Sequence, residues 1–247
     1  MIESFQAVLE LRLVWAVGIT FLGGVMLGYT GFGGAMVSMP LLVFLFGPIE
    51  ALGIIIIGYS VLLVHLLPAA VRKADWQIIK PILFAIVIFV PIGNWFLFFL
   101  DPYLIKKIIG FIIFFFSALI LLGWRYRGPS GTVPSAITGA VSGVISGFIG
   151  LGGPALVVYI MANDRQAEVQ RACILVGMAL LATMVFVNLG FRGGFTIETI
   201  YRGLVATPTQ WGGGVIGAWL FARAPEEIFK KFTLVALIVL GASVAVF

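Results

Sequence analysis

Hydrophobic positions in this chain form long runs separated by short polar breaks, and this pattern predicts helices that cross a membrane. Most of these runs are close to the roughly 20 residues that span a bilayer. They occupy positions 13–30, 49–71, 78–100, 103–124, 171–190, 199–221 and 228–247. Little chain remains between them for an aqueous domain, so we expect the function to lie within the membrane.

Two further apolar segments, at 35–46 and 154–162, are too short to span a bilayer. As helices they would rise about 14 to 18 Å, against a hydrocarbon thickness of roughly 30 Å. We therefore expect each to form a re-entrant hairpin. The preceding helix enters the membrane, the chain turns inside it, and the short helix returns to the same face.

The glycine pattern indicates that the chain is an internal duplication. The set Gly24, Gly28, Gly31, Gly33 and Gly34 recurs 119 positions later as Gly143, Gly147, Gly150, Gly152 and Gly153. Other matches follow at similar offsets, for example Gly58 with Gly177. We predict two repeats, 1–127 and 132–247, with five helical segments each. The segments begin near positions 13, 35, 49, 78 and 103, and near 133, 154, 167, 199 and 228. Because five is odd, the repeats should be inverted, which predicts an all-α polytopic membrane protein.

The glycine runs 31–34 and 150–153 predict turns inside the membrane that bind an anion. Glycine adopts positive φ without steric cost, and irregular backbone at membrane depth is tolerated only where protein or a wet cavity covers it. Each run precedes a short helix, so unpaired N–H groups and a positive dipole end would point into the protein. Pro154 fits the first turn of such a helix. The expected contacts are Gly31, Phe32, Gly33 and Gly34 in one turn, and Gly150, Leu151, Gly152 and Gly153 in the other. Close helix packing is the alternative role, and it is preferred for Gly24 and Gly28.

Composition agrees with a membrane protein and excludes several other classes. The 247 residues are 62% hydrophobic and 10% charged, and the mean hydropathy is +1.18. A net charge of +5 does not indicate a nucleic-acid partner, since the basic residues stand singly or in pairs at segment ends. One cysteine, Cys173, excludes a disulfide or a cysteine metal site within the chain. We expect no metal and no cofactor. The expected partners are a small anion and the lipid bilayer, and a homodimer is left open.

Few polar side chains lie inside the apolar runs, and each of these is a candidate for substrate contact. They are Tyr29, Tyr59, His65, Asn94, Asn188 and Gln210. Each has an ordinary alternative. The histidine would be a neutral residue bonded to a neighbouring helix, and the tyrosines would be interfacial anchors. The acidic residues lie at segment ends, so a carboxylate site for a coupling ion is not indicated.

The two glycine motifs carry a family resemblance. The stretches 31–40 (GFGGAMVSMP) and 150–154 (GLGGP), each opening a short apolar segment, occur together with 73–76 (KADW) after the third segment. In these features the chain resembles the sulfite exporter TauE/SafE family, also called TSUP transporters, over essentially its whole length. The resemblance implies a permease of the bacterial inner membrane for small sulfur-containing anions such as sulfite, thiosulfate, sulfonates or sulfoacetate.

We therefore expect a transporter in which one repeat rocks against the other around the two turns, as in inverted-repeat carriers. An anion channel remains an alternative, because the same turns could line a pore. A membrane enzyme is less favoured, since the chain offers one cysteine, one histidine and no carboxylate at mid-depth.

Overall fold

The computed structural model describes residues 2–30, 33–122, 126–163, 165–221 and 223. These residues form nine helices and no strand, which confirms the all-α prediction for this part of the chain. The helices are α1 (Ile2–Thr30), α2 (Gly34–Phe46), α3 (Pro48–Lys73), α4 (Trp76–Phe99), α5 (Pro102–Leu121), α6 (Thr132–Ile149), α7 (Gly153–Ile160), α8 (Ala167–Phe191) and α9 (Ile197–Phe221). Gly31, Phe32, the predicted segment at 228–247 and the side chain of His65 lie outside the described residues.

Five stretches of these helices are long and apolar enough to cross a membrane. They are Leu11–Tyr29, Trp76–Phe99, Pro102–Leu119, Thr132–Ile149 and Glu168–Phe191. The predicted runs at 49–71 and 199–221 lie in α3 and α9, which are helical over 26 and 25 residues. Many large apolar side chains face outward, among them Phe84 and Phe111, which are 71% and 62% exposed. Such side chains belong on a surface in contact with lipid.

The first short helix, α2, runs back along α1. Its 13 residues begin at Gly34, one residue before the predicted start. Gly34 lies against Leu27 and Gly23, and four residues later Ser38 Oγ donates to the Ile19 carbonyl at 3.4 Å. Contacts that move forward along α2 therefore move backward along α1, so the two helices are antiparallel.

The second short helix, α7, has the same relation to α6. It has only 8 residues, which correspond to about 12 Å of rise. At its start Gly152 lies against Ser142 and Ser146, and near its end Tyr159 Oη is 2.9 Å from Ser135 Oγ. This helix also runs back along the one before it.

Glycines bring α1 against α9 and α4 against α6. Side chains at these positions would collide with backbone of the opposite helix, which is the arrangement that membrane helices use for close packing. Gly28 faces the Gly214 carbonyl, and Gly147 faces the Val90 carbonyl. The two contacts involve matching positions of the chain. Gly147 lies 119 residues after Gly28, and Val90 lies 124 residues before Gly214.

The centre of the protein is formed by α3 and α8, which pack antiparallel. The end of α3 meets the start of α8 through the ion pair of Lys73 with Glu168, and Gly53 near the start of α3 lies beside Leu189. The apolar side chains at this centre are fully buried, including Leu52 on α3 and Val185 on α8. The remaining helices surround this pair.

Candidate functional site

The first glycine turn joins α1 to α2 through a residue in the left-handed region. Gly33, the residue before α2, has φ 84° and ψ −6°, and no side chain caps the start of the helix. A side chain at this φ would be strained, so the local backbone requires glycine here. Gly33 and Gly34 are both buried, as expected for a turn covered by protein.

Tyr59 of α3 extends to this first turn. Its hydroxyl lies beside Gly34, so close that a Cβ added to this glycine would be 2.6 Å from Oη. The hydroxyl also interacts with the Ala35 backbone. The tyrosine is only 6% exposed. A polar hydroxyl is therefore held at the N-terminus of α2, within a region that is otherwise apolar.

The second glycine turn joins α6 to α7. Gly150 ends α6 with φ 74°, and its N–H donates to the Ser146 carbonyl at 2.8 Å. Gly152 has a right-handed φ of −67°, so the left-handed residue stands at the start of this turn and at the end of the first one. The next helix begins without a side-chain cap and has Pro154 in its first turn, as predicted. Leu151, Gly152 and Gly153 are buried.

Asn94 of α4 contacts the end of α6 just before this turn. Its side chain is fully buried, and Nδ2 donates to the Gly147 carbonyl at 3.2 Å. That carbonyl belongs to the last turn of α6, where carbonyls lose their helical partners. Asn94 Oδ1 has no hydrogen-bond partner among the described residues.

Two serines at the second turn were not singled out from the sequence. Ser142 and Ser146 stand four residues apart on α6, and Gly152 lies against the Ser142 backbone carbonyl and the Ser146 Cβ. Ser142 is fully buried, and its Oγ finds no partner within the described ranges. Two hydroxyl residues one helical turn apart in an apolar run were the available signal, since this spacing places both on one face.

Gln210 is buried in the junction of α9 with α1 and α3. It is 3% exposed, its backbone carbonyl faces Gly24, and its Oε1 lies against Gly58 without a hydrogen-bond partner in the described part of the chain. Gly58 precedes Tyr59, so Gln210 contacts α3 directly beside another of the predicted polar residues.

The remaining candidates are Asn188, Tyr29, Gly31, Phe32 and His65. Asn188 Nδ2 donates to the Met184 carbonyl at 2.9 Å, so this side chain bonds within its own helix, α8. Tyr29 is 3% exposed at the end of α1, where its backbone lies beside Gly217. Gly31, Phe32 and the His65 side chain are among the residues that the structure does not describe.

Both turns contact one face of α3. Tyr59 reaches Gly34, and Leu52 lies against Gly150. Residues seven apart share a helix face and are separated by about 10 Å along the axis. The two turns thus meet side chains of α3 that stand seven residues apart on one face.

Ion pairs join the helices at both ends of α3. At its start, Glu50 pairs with Arg202 of α9, and their side chains are 23% and 13% exposed. The Arg202 guanidinium also lies 4.8 Å from the centre of the Phe46 ring. At the other end Arg165 Nε donates to Asp75 Oδ2 at 2.8 Å. No cluster of three metal-ligating side chains occurs in the part of the chain that the structure describes.

Comparison with models of protein families shows to which family the chain belongs. The model of the family "Sulfite exporter TauE/SafE" matches residues 16–244, nearly the whole chain. The chain belongs to the sulfite exporter TauE/SafE family. Membership implies a membrane transporter of sulfur-containing anions, and the apolar helices agree with a multi-pass membrane protein. No curated protein and no solved structure matches the chain.

Within this TauE/SafE transporter, both doubled glycine motifs fall at breaks between helices. Neither is part of a continuous helix in the described residues, since Gly33 and Gly150 adopt left-handed backbone. The motif glycines at Gly24 and Gly28 instead lie inside α1 and serve helix packing. One motif thus combines two structural roles.

Proposed function

We propose that this protein carries a small sulfur-containing anion, such as sulfite, thiosulfate, a sulfonate or sulfoacetate, across the bacterial inner membrane. The supporting observation is that two buried helix N-termini, at α2 and α7, begin at glycine turns whose N-cap residues provide no side-chain cap, with the Tyr59 hydroxyl as an added polar group at α2. Uncapped N–H groups and the positive dipole end favour an anion. Family membership supplies the preference for sulfur, which no single residue explains.

The proposed scaffold is a pair of inverted repeats, 1–127 and 132–247, each with a re-entrant hairpin. Three observations support it. Each short helix is antiparallel to the one before it, the central helices α3 and α8 are antiparallel, and the α1–α9 glycine contacts recur in α6–α4 at equivalent positions. Transporters with inverted repeats place their substrate between broken helices.

The proposed site lies between the turns, on the face of α3 that carries Leu52 and Tyr59. Gly31, Phe32, Gly33 and Gly34 would contribute from one turn, and Gly150, Leu151, Gly152 and Gly153 from the other. The hydroxyl of Tyr59 is the side-chain donor that the contacts place at a turn. We propose that binding and release of the anion require one repeat to move against the other. Alternating access would supply this movement.

Uptake of labelled sulfite and sulfoacetate into proteoliposomes tests the proposal. Gly153→Val should abolish uptake, because it places a branched side chain where the α7 N–H groups would meet the anion. Gly18→Val is the matched control, since Gly18 is an exposed glycine of α1 with open space around its Cβ position. Full uptake by folded Gly153→Val protein would refute the proposed site.

A second measurement separates a carrier from a channel. A carrier should show saturable uptake, and unlabelled substrate inside the vesicles should accelerate entrance of labelled substrate. A channel that uses the same turns would show no such counterflow. Absence of counterflow would therefore overturn alternating access while leaving the anion site intact.

A further inference from the structure

A cavity of about 590 Å³ opens beside the second hairpin, away from its glycine turn. Its lining comes from the starts of α4 and α6 and from the segment after α7, and consists of Gln77, Ile78, Ser130, Gly131, Thr132, Ser135, Asn163 and Arg165. Sites for small organic ligands commonly have volumes of roughly 300 to 1,000 Å³. This cavity therefore has the size of a binding site for a molecule larger than a sulfite ion.

The lining is rich in hydrogen-bond donors. The lining includes one cationic side chain, Arg165, which is 48% exposed. Its Nε donates to Asp75, and this bond does not engage the terminal nitrogens of the guanidinium. Gln77 and Thr132 add an amide and a hydroxyl. Planar guanidinium groups bind oxyanions through two parallel hydrogen bonds.

Among the described residues, the acceptors beside this cavity are already engaged in hydrogen bonds. Asp75 accepts from the Gln77 N–H at 2.9 Å and from Arg165 at 2.8 Å. The last carbonyls of α7 are also engaged, since Asn163 Nδ2 and the Ala162 N–H both donate to the Tyr159 carbonyl. The Arg165–Asp75 pair carries no net charge, so an anion would be held by hydrogen bonds from the terminal guanidinium nitrogens.

The cavity is separated from the second turn by the length of α7. Ser135 in its wall bonds Tyr159 near the end of that helix, and Gly153 stands at the other end, about 9 Å away along the axis. A molecule bound here would not contact the glycine turn.

We propose that this cavity is a second anion site, which binds a small organic sulfonate through Arg165 before the molecule reaches the glycine turns. Ile78 in the lining would contact the carbon chain of the ligand. The idea that the bound sulfonate then passes to the glycine turns rests on the proposed function. Binding itself does not, and it can be measured separately.

Isothermal titration of the purified protein with sulfoacetate tests the site. Arg165→Gln should weaken binding about tenfold, as expected for loss of a charge-assisted hydrogen bond. Asp75→Asn should strengthen binding severalfold, because it releases Arg165 and removes a negative charge while keeping an acceptor for Gln77. Arg12→Gln is the control for net charge, since this exposed arginine lies near the start of α1. It should bind like the unchanged protein.

An ion pair with a purely structural role predicts a different result. Arg165→Gln and Asp75→Asn would then lower the melting temperature and leave the affinity for sulfoacetate unchanged, which would overturn the proposal. If Arg165→Gln does not fold, the direction of the change in Asp75→Asn decides alone. Equal affinity for sulfite and sulfoacetate would refute the assignment to an organic anion.

The Gly153→Val variant keeps the two proposals distinguishable. It should lose uptake but still bind sulfoacetate, because the cavity lies away from the turn. Loss of uptake in Gly153→Val with wild-type affinity in Arg165→Gln would leave the proposed function standing and reject the second site. Binding that depends on Arg165, in a protein without any uptake, would support the second site and reject the proposed function.

Discussion

The first hairpin, α1 with α2, and the second, α6 with α7, share a shape but differ in their polar groups. In both, a short helix begins after a glycine turn and runs back along the preceding helix. The first turn receives a tyrosine hydroxyl from α3, whereas the equivalent of Tyr59 in the second repeat is Met178. The second turn instead lies against the backbone carbonyl of Ser142, a serine whose equivalent in the proposed first repeat is Gly23.

This difference indicates that the duplicated feature is backbone geometry rather than side-chain chemistry. Gly28 and Gly147, where a Cβ would collide with backbone of the opposite helix, stand at equivalent positions of the two proposed repeats, and both are glycine. Side chains at the turns have diverged, so the two ends of the proposed path would contact the anion differently. Substitutions that break the shared shape should therefore have larger effects than substitutions that change the chemistry of one hairpin.

The largest effect is expected from Gly28→Leu and Gly147→Leu. Both place a side chain against a carbonyl of the opposite helix, so neither helix pair can keep its spacing. We expect a loss of at least about 3 kcal/mol, seen as little folded protein by size-exclusion chromatography. Gly18→Leu, at an open position, should fold normally. Normal folding of one variant but not the other would show that the two packing contacts are not equivalent.

Tyr59→Phe should lower uptake about tenfold and the melting temperature slightly, because it removes one hydroxyl from the proposed path and from the Ala35 backbone. Met178→Leu, at the equivalent position of the second repeat, should change uptake less than about twofold, since it exchanges apolar groups of similar volume. Initial rates in proteoliposomes measure both. Equal effects would contradict the assignment of the side-chain donor to the first turn.

Asn94→Ala should destabilise the protein by about 1 kcal/mol, because the Gly147 carbonyl loses its side-chain donor. Removal of the unpaired Oδ1 offsets part of this loss. Thermal unfolding in detergent provides the measurement, and Asn188→Ala serves as the comparison, since its amide bonds only within its own helix. A larger loss for Asn188 would show that a role for that residue has been overlooked.

The smallest change in stability is expected for Ser142→Ala. Its hydroxyl is buried without a partner in the described residues, so the free energy of unfolding should remain the same or rise slightly. Uptake should fall severalfold if the hydroxyl donates to the anion at the second turn. Unchanged uptake would show that the Ser142 hydroxyl does not bind the anion. The two hairpins would then differ in that the first turn alone has a side-chain donor for it.

Much of the fold could be predicted from the chain because its signals are local. The short helices begin at Gly34 and Gly153, each one residue before the predicted position. Their length follows from the apolar run, and the breaks follow from glycines spaced too closely for one helix face. The predicted packing role of Gly24 and Gly28 also depends on local spacing, and the structure places both against α9.

The candidate site was less predictable, because a polar residue in an apolar helix has several ways to satisfy its hydrogen bonds. Asn94 bonds across to α6, whereas Asn188 bonds to a carbonyl four residues earlier in its own helix. Both asparagines have similar apolar surroundings in the sequence. Ser142 and Ser146 were overlooked for the converse reason, since serine is common at ordinary packing positions between membrane helices.

The sequence by itself determined the membrane class and the two helix breaks, since these depend on hydrophobic length and on the steric freedom of glycine. Only the tertiary structure decided which side chains meet the turns, and that both turns lie along one face of α3. Such contacts depend on the rotation and register of helices far apart in the chain, which no local pattern specifies.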